Sequence, residues 1–405
     1  MQMRDESSHA PGARHRLVTP RGRVARAAAL ALSGALAFTG VGATIAGAST
    51  TRAAVPAAKS STNAYGAVES QLTTLENAAP SGVKLLETGS TLLYPVISVW
   101  ASKYSAVNVT TAGTGSGTGI ADATNGTVQI GASDAYLSPT QLASSGLLNI
   151  PVSISAQQID YNIPGLAKGT HLKLDATVIN NIFDGTITKW NDSAITALNP
   201  SVKLPNLKIV PFHRSDGSGD TFLFSSYLAY QDSSSWVPKA GGPNTTISWP
   251  SNPNALAEKG NGGMAAGCEA TPGCIAYIGV SWLRTVVAHG IGYAQLLNGQ
   301  GNYVLPTPRN IGYEVASYKK VPTNAAISLI NSHATKYGYP IVNFEYAIVN
   351  TKQPSTSTAK AIQAFLAWGM DPRKGSTSSM LAPFFFQALS PTAMQISVNL
   401  LKQVK

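Results

Sequence analysis

The chain has 405 residues, of which 44% are hydrophobic and only 12% are charged, and its formal net charge is +10. This composition is typical of a folded, loop-rich globular protein and excludes a coiled coil and an acidic disordered chain. No run of Lys and Arg marks a nucleic-acid surface, while the mild positive excess favours anionic ligands.

The first 48 residues are predicted to be a signal peptide. A basic stretch ends at Arg26, an apolar run of small residues follows, and Ala46-Gly47-Ala48 fits the pattern of a cleavage site. A retained membrane anchor is the alternative, and lipid anchoring is disfavoured because no Cys lies near Ala48. We therefore expect an exported protein, located in the extracellular space, cell envelope or periplasm and peripheral to the cytoplasmic membrane.

Residues 49–82 are rich in Ala, Ser and Thr and are predicted to form a flexible tether, with a helix as an option over 65–78. Strand and helix patterns then alternate along the chain. Strands are predicted at 83–87, 107–112, 128–134, 150–161, 209–212, 275–278 and 341–349, and helices at 92–104, 120–125, 174–183, 190–198, 222–230, 359–368 and 392–402. This order predicts an α/β architecture, in which ligands bind where strands end and helices begin.

Three polar loops lie at such strand-to-helix junctions, at 89–91, 114–117 and 216–221. Each offers hydroxyl groups, glycine backbone that a ligand can approach closely, and free N–H groups at a helix start. Together they can bind an oxyanion. Each loop taken alone could equally be an ordinary helix cap, because Ser, Thr and Asp are preferred there.

Arg214 and two carboxylates adjoin these loops. Arg214 can donate two charge-assisted hydrogen bonds to an oxyanion, although an ion pair with Asp216 is also open to it. Asp134 and Asp220 are acceptors only, so an anion beside them is repelled unless it carries its own protons. Phosphate has such protons and sulfate has none, which predicts selection of phosphate. A turn or cap role for Asp134 stays open.

Sequence motifs of hydrolases, nucleotide-binding proteins and metal sites are incomplete. Neither Ser116 nor Ser218 lies in a G-x-S-x-G nucleophile motif, and no phosphate loop of the G-x-x-x-x-G-K-[ST] type is present. The six His residues form no pair at metal spacing. We expect no catalytic residue, no metal and no cofactor.

The two cysteines, Cys268 and Cys274, are separated by five residues that include Pro272-Gly273. In an exported chain, an even count at short spacing predicts a disulfide, and the Pro-Gly turn allows the two to meet. A zinc site is disfavoured because no His is nearby.

Several segments in this order closely resemble the phosphate-binding component, the PstS family, of the phosphate-specific ABC transporter, and most of all its actinobacterial branch. The likeness extends from about Val83 to the C-terminus. The segments are ETGSTLLYP from Glu87, GTGSG from Gly113, GASDAYL from Gly131, YNIPG from Tyr161, GTITKWND from Gly185, RSDGSGDTF from Arg214 and EKGNGG from Glu258.

The resemblance implies a type II periplasmic-binding-protein fold, with two α/β lobes joined by crossover hinge strands and the ligand cleft between them. Lobe I would comprise residues 83–161 and 306–405, and lobe II residues 162–305. It implies a monomer that binds inorganic phosphate and no nucleic acid, with the permease subunits and their ATPase as partners. The phosphate-binding residues carried over are Thr91, Leu92, Ser116, Asp134, Arg214, Ser218, Gly219 and Asp220.

Asp220 departs from the family pattern, since many members have Thr there. This predicts a second acceptor for phosphate protons, and hence a preference for more protonated phosphate or a greater sensitivity to pH. Three alternatives to a phosphate receptor remain: a secreted phosphatase that uses the same oxyanion site, a surface adhesion or signalling protein that kept the fold, and a receptor for another tetrahedral oxyanion.

Overall fold

The structure is a computed structural model that describes residues 62–318, 320–330 and 335–405. The predicted signal peptide and the first part of the predicted tether lie outside the described residues. Across the described part, no helix combines the length and the apolar character that a membrane crossing requires.

Strands and helices alternate through most of the described chain. The strands are β1 Lys84–Gly89, β2 Asn108–Gly113, β3 Ile130–Ser133, β4 Leu147–Tyr161, β5 Lys173–Leu174, β6 Val210–Arg214, β7 Leu256–Glu258, β8 Cys274–Gly279, β9 Gly292–Tyr293, β10 Gln295–Leu297, β11 Tyr303–Val304 and β12 Val342–Asn350. The helices are α1 Thr62–Glu76, α2 Tyr94–Lys103, α3 Ser116–Asn125, α4 Pro139–Ser145, α5 Ala176–Phe183, α6 Ser193–Leu198, α7 Gly219–Gln231, α8 Ser233–Ala240, α9 Gly260–Ala270, α10 Leu283–Ala288, α11 Pro308–Ser317, α12 Thr356–Met370, α13 Ser378–Leu381 and α14 Pro391–Leu401. Two short 3₁₀ helices occupy Val280–Trp282 and Ala382–Phe384.

The main sheet has the strand order β2-β1-β3-β12-β4-β8-β6-β7, with β9 paired to β4. The strands β2, β1 and β3 are parallel to one another, and so are β8, β6 and β7. The central strands β12 and β4 are antiparallel to their neighbours. A smaller sheet contains β11, β10 and β5. This mixed α/β arrangement confirms the predicted fold class.

The strand β4 belongs to both halves of the main sheet. Its residues Leu147 to Ala156 pair with β12, and its residues Gln157 to Tyr161 pair with β8. We call β1–β3, β12 and the first part of β4 the first lobe, and β6–β8 with the second part of β4 the second lobe. All fifteen residues of β4 are buried, although six of them are polar, because the strand is paired on both sides in the middle of the main sheet.

The helix α1 lies within the segment predicted to be a tether and corresponds to the helical option there. It packs against α12 and α14, with Val68 and Leu72 buried. The Glu76 carboxylate pairs with the ammonium group of Lys374. The described part of this segment, from Thr62 onward, is therefore folded onto the first lobe rather than extended.

The predicted disulfide is present. The Sγ atoms of Cys268 and Cys274 are bonded, and the two Cα atoms are 5.2 Å apart. The bond joins the end of α9 to the start of β8, and both residues are fully buried. It therefore ties a helix of the second lobe to the strand that pairs with β4.

Candidate functional site

In the first lobe, a polar loop follows β1. The hydroxyl oxygen of Ser90 accepts hydrogen bonds from the backbone N–H groups of Leu92 (3.1 Å) and Leu93 (2.9 Å), and it donates to Oδ1 of Asp134. Gly89 makes this turn possible, because its φ is 143° and a Cβ there would lie 2.0 Å from the carbonyl oxygen of Ala132. The loop therefore places Ser90 against the residue that follows β3.

That residue is Asp134, whose side chain is almost completely buried. The Ser116 hydroxyl, at the first residue of α3, lies 3.4 Å from Asp134 Oδ2 and accepts a bond of 3.3 Å from the Asp134 backbone N–H. Gly115 allows α3 to begin here because its φ is 100°. Burial raises the pKa of Asp134, while the hydroxyls of Ser90 and Ser116 and the charge of Arg214 oppose that rise.

In the second lobe, Arg214 ends β6 and its side chain is buried. Its Nε and Nη2 atoms donate to the two oxygens of Asp216 at 2.7 and 2.5 Å, and its Nη1 donates to Asp220 Oδ2 at 2.9 Å. Burial acts to lower the pKa of Arg214, but its hydrogen bonding with Asp216 and the charges of Asp216 and Asp220 outweigh burial and raise it. Arg214 is therefore a fixed positive charge.

Asp220 is held by three protein donors. Besides Arg214, the Gln157 Nε2 group donates to its Oδ1 at 3.1 Å, and the Asn261 Nδ2 group donates to its Oδ2 at 2.7 Å. Burial and the charge of Asp134 raise the pKa of Asp220 to about 7. The carboxylates of Asp216 and Asp220 thus fix the orientation of Arg214.

Asn261 joins the two lobes. Its Nδ2 group donates to Thr91 Oγ1 at 3.0 Å, and its backbone N–H donates to the same oxygen at 3.1 Å. Its Oδ1 accepts from the backbone N–H of Gly279 at 3.0 Å. The EKGNGG segment is one of those that carry the family resemblance, but no role for Asn261 was predicted from it. The signal that could have identified it is the glycine-rich sequence Gly260-Asn261-Gly262-Gly263 at the start of α9.

Further contacts close the two lobes against each other. The Gly117 N–H donates to the Gly217 carbonyl at 2.9 Å, and the Trp282 indole N–H donates to the Thr91 carbonyl at 3.1 Å. Gly219 is so near the first lobe that a Cβ on it would lie 2.3 Å from Asp134 Oδ2. The two lobes are therefore packed against each other at the site.

The eight residues predicted to bind phosphate are all buried at this junction. Six of them take part in the hydrogen bonds described above: Thr91, Leu92, Ser116, Asp134, Arg214 and Asp220. Gly219 lies against Asp134, and Ser218 caps α7 by accepting from the Thr221 N–H at 3.4 Å. The predicted site residues are Thr91, Leu92, Ser116, Asp134, Arg214, Ser218, Gly219 and Asp220.

A cavity of about 470 Å³ lies on one side of the junction. Thr91, Asp216, Lys259 and Trp282 are among its lining residues. Because Thr91 and Asp216 also belong to the junction, this cavity adjoins the site.

Another buried acid lies behind Asp134. Glu345 is in the middle of β12 and is fully buried. The pairing of β12 with β3 places Tyr346 opposite Ser133 in an antiparallel register, so Glu345 is the cross-strand neighbour of Asp134. The sequence did not identify Glu345 as part of the site. Among the described residues, no group of three His, Cys, Asp or Glu side chains is arranged to hold a metal ion.

A buried cleft of hydrogen-bond donors between two α/β lobes, joined by a strand common to both, defines a solute-binding protein. A model of the PBP superfamily domain matches residues 47–373. The chain is 31% identical over 294 residues to the phosphate-binding protein PstS of Xylella fastidiosa strain 9a5c, covering 71% of this chain and 78% of that protein. It is 32% identical over 352 residues to PstS of Methanocaldococcus jannaschii, covering 81% and 88%. The chain belongs to the PstS family of the PBP superfamily.

Solved structures of phosphate-binding proteins share the fold. The high-affinity periplasmic phosphate-binding protein PfluDING, solved with phosphate, superposes with a TM-score of 0.62 at 19% identity, over 78% of this chain and 93% of that chain. The phosphate-binding protein of Stenotrophomonas maltophilia gives a TM-score of 0.59 at 17% identity, over 78% and 92%. These likenesses confirm the two-lobed fold.

Gly219 provides a test of lobe closure. Replacing Gly219 by alanine places a methyl group against Asp134, and relieving such a clash costs about 1–3 kcal/mol. We expect the Gly219→Ala protein to bind phosphate about 5- to 150-fold more weakly and to show a larger radius of gyration in small-angle scattering with phosphate present. Gly242→Ala is the matched control, because a Cβ at Gly242 meets nothing within 4 Å. Equal affinity in Gly219→Ala and the unmodified protein would contradict the closed geometry.

Proposed function

We propose that this protein captures inorganic phosphate between its two lobes outside the cytoplasm and delivers it to the permease subunits of an ABC transporter with their ATPase. One observation carries the choice of phosphate: a buried carboxylate, that of Asp134, lies among the donors of an anion site. Relatives that are at least 30% identical to this chain are phosphate-binding proteins, which supports phosphate as the ligand.

The proposed contacts with phosphate come from both lobes. Thr91, the Leu92 N–H and Ser116 would bind phosphate oxygens from the first lobe, and Asp134 would accept a proton of the guest. Arg214 and the start of α7, at Ser218, Gly219 and Asp220, would donate from the second lobe, because the first N–H groups of a helix have no partner within it. The closed lobes then form the surface that a permease recognises.

We further propose lobe boundaries and the role of Asp220. The first lobe would comprise residues 83–161 and 306–405 and the second lobe residues 162–305. The strand β4, which changes partners between Ala156 and Gln157, would be a crossover hinge strand between them. Since Arg214, Gln157 and Asn261 already donate to the carboxylate of Asp220, we propose that it chiefly orients Arg214. A hydrogen bond from a P–OH group of phosphate to the Asp220 carboxylate stays a prediction.

We propose that the protein is not an enzyme. The Ser90 hydroxyl donates a hydrogen bond to the Asp134 carboxylate, as the hydroxyl of a nucleophilic serine would donate to a general base. The Ser90 oxygen, however, accepts hydrogen bonds from two backbone N–H groups. Both of its lone pairs are engaged, so neither is free to attack phosphorus.

Calorimetric titration of the purified protein with phosphate, arsenate and sulfate tests this function. We expect a phosphate dissociation constant in the micromolar range or tighter, about −8 kcal/mol or better, and far weaker sulfate binding. Incubation with p-nitrophenyl phosphate should release no nitrophenol. Tight sulfate binding would overturn the choice of phosphate, and turnover of the ester would establish the phosphatase alternative.

A further inference from the structure

The carboxyl group of Glu345 has two unlike oxygens. Its Oε1 accepts hydrogen bonds from the Ser155 hydroxyl at 2.5 Å and from the Asn343 Nδ2 group at 3.0 Å. Its Oε2 is buried and receives no hydrogen bond from any donor in the described part of the chain. Burying an ionised carboxylate with one oxygen that accepts no hydrogen bond costs free energy. A protonated carboxyl oxygen can instead donate a hydrogen bond, so it needs an acceptor nearby and no donor.

An acceptor is in place. Glu345 precedes Tyr346 on β12, Asp134 follows Ser133 of β3, and Tyr346 and Ser133 are paired, so the antiparallel register places Glu345 beside Asp134. The two carboxyl groups are within hydrogen-bonding contact. Two carboxylates this close in a buried site cannot both be ionised, so the pair holds one proton. Asp134 also faces the charge of Arg214 and two serine hydroxyls, all of which favour its ionised form, whereas the donors to Glu345 are neutral.

We infer that Glu345 is a positioning residue for phosphate recognition, which keeps its proton and donates it from Oε2 to the Asp134 carboxylate. Asp134 is thereby held as an ionised acceptor with its free lone pairs toward the guest, and Glu345 adds no negative charge beside an anion. The inference rests on the proposed binding of phosphate at Asp134. It adds a residue in the middle of a buried strand to a site otherwise built from loops.

The surroundings support the direction of this assignment. Burial raises the pKa of Glu345 well above its ordinary value, and the charge of Asp134 raises it further. Ser155 faces Glu345 from β4, and Asn343 and Tyr346 face it from β12 itself. Asp134 is the charged group that acts on Glu345, and Arg214 and Asp220 lie beyond it, in interaction with Asp134.

Two substitutions separate proton donation from simple packing. Glu345→Gln keeps a neutral donor, and we expect a phosphate dissociation constant within about threefold of the unmodified protein at neutral pH. Glu345→Leu removes the donor, and we expect binding about 10- to 100-fold weaker, the range for a hydrogen bond to a charged group, with reduced preference over sulfate. Glu87→Gln is the matched control, because Glu87 is buried in β1 and its pKa is raised to about 8, yet it does not contact Asp134. Equal losses in Glu345→Gln and Glu345→Leu would overturn the inference.

The dependence of binding on pH gives a second readout. The proton on Glu345 is present below its pKa in the folded protein and is lost as pH rises through that value, which leaves two carboxylates beside the anion. The ratio of the dissociation constants of the unmodified protein and Glu345→Gln should therefore rise from neutral into alkaline solution. Ionisation of phosphate itself affects both proteins equally and cancels in the ratio. A ratio that stays constant counts against donation from Glu345.

Infrared spectroscopy of the ligand-free protein completes the test, and it needs no folded Glu345→Leu variant. The difference spectrum between the unmodified protein and Glu345→Gln at neutral pH should contain one carboxylic-acid C=O band, while the buried acids Glu87 and Asp160 contribute equally to both spectra. A carboxylate band in its place would overturn the inference and leave the proposed function standing. Absence of phosphate binding by the unmodified protein would instead refute the proposed function.

Discussion

Replacing Arg214 by alanine is expected to weaken phosphate binding by roughly 2–5 kcal/mol, or about 30- to 5,000-fold. The guanidinium group is almost fully buried and is held by Asp216 and Asp220 in one orientation. The variant therefore removes a pre-oriented positive charge from the site. It also removes the charged partner of the buried Asp220 carboxylate and of the partly buried Asp216 carboxylate. Calorimetry at constant pH measures the effect.

Two controls make the Arg214 experiment specific. Arg309→Ala removes an exposed guanidinium group that contacts Tyr313, and it should leave the dissociation constant unchanged. Arg214→Lys keeps the charge but loses the planar pair of donors. Its affinity for phosphate should therefore lie between that of Arg214→Ala and that of the unmodified protein. A dissociation constant in Arg214→Ala equal to that of the unmodified protein would remove this residue from the site.

Replacing Asp134 by asparagine is expected to reduce the preference for phosphate over sulfate by about 100-fold or more, because a like charge beside a buried anion costs several kcal/mol. Phosphate loses the acceptor for its proton, and sulfate no longer faces a carboxylate. Titration of the variant with both anions at one pH gives the ratio. Asp122→Asn, on α3 but outside the hydrogen-bond network of the site, is the control for a lost carboxylate. An unchanged ratio would show that selection against sulfate has another source.

The three polar loops could be located from the sequence because each follows a predicted strand. Asp134 follows β3, Arg214 ends β6 and Ser116 begins the helix after β2, and the structure brings these three residues together. Their contact with phosphate stays a prediction. The predicted starts of α3 and α7, at 120 and 222, were later than the observed starts at Ser116 and Gly219. The glycine and serine residues in these first turns are poor helix formers, and the apolar pattern begins only after them. The earlier starts matter because they add the unpaired N–H groups of the first turn to the site.

Glu345 could not have been identified in the same way. It lies within the strand sequence VNFEYAIVN, where a charged residue ordinarily marks an exposed face. Its role depends on the pairing of β12 with β3, which joins residues more than two hundred positions apart in the sequence. Local patterns predict that a strand exists but leave its neighbours undetermined. Asn261 was missed for a similar reason, since its partners Thr91 and Asp220 come from two different lobes.

The exchange of partners along β4 has a consequence for how occupancy is signalled. Gln157 is the first residue of β4 that pairs with the second lobe, and its side-chain amide donates to the carbonyl (2.8 Å) and the carboxylate of Asp220. In the proposed binding cycle, the point of β4 about which the lobes would rotate is therefore one hydrogen bond away from Asp220, which holds Arg214. A transporter that senses only the angle between the two lobes would thus detect directly whether the phosphate site is filled or empty. No relay through intermediate residues would be needed.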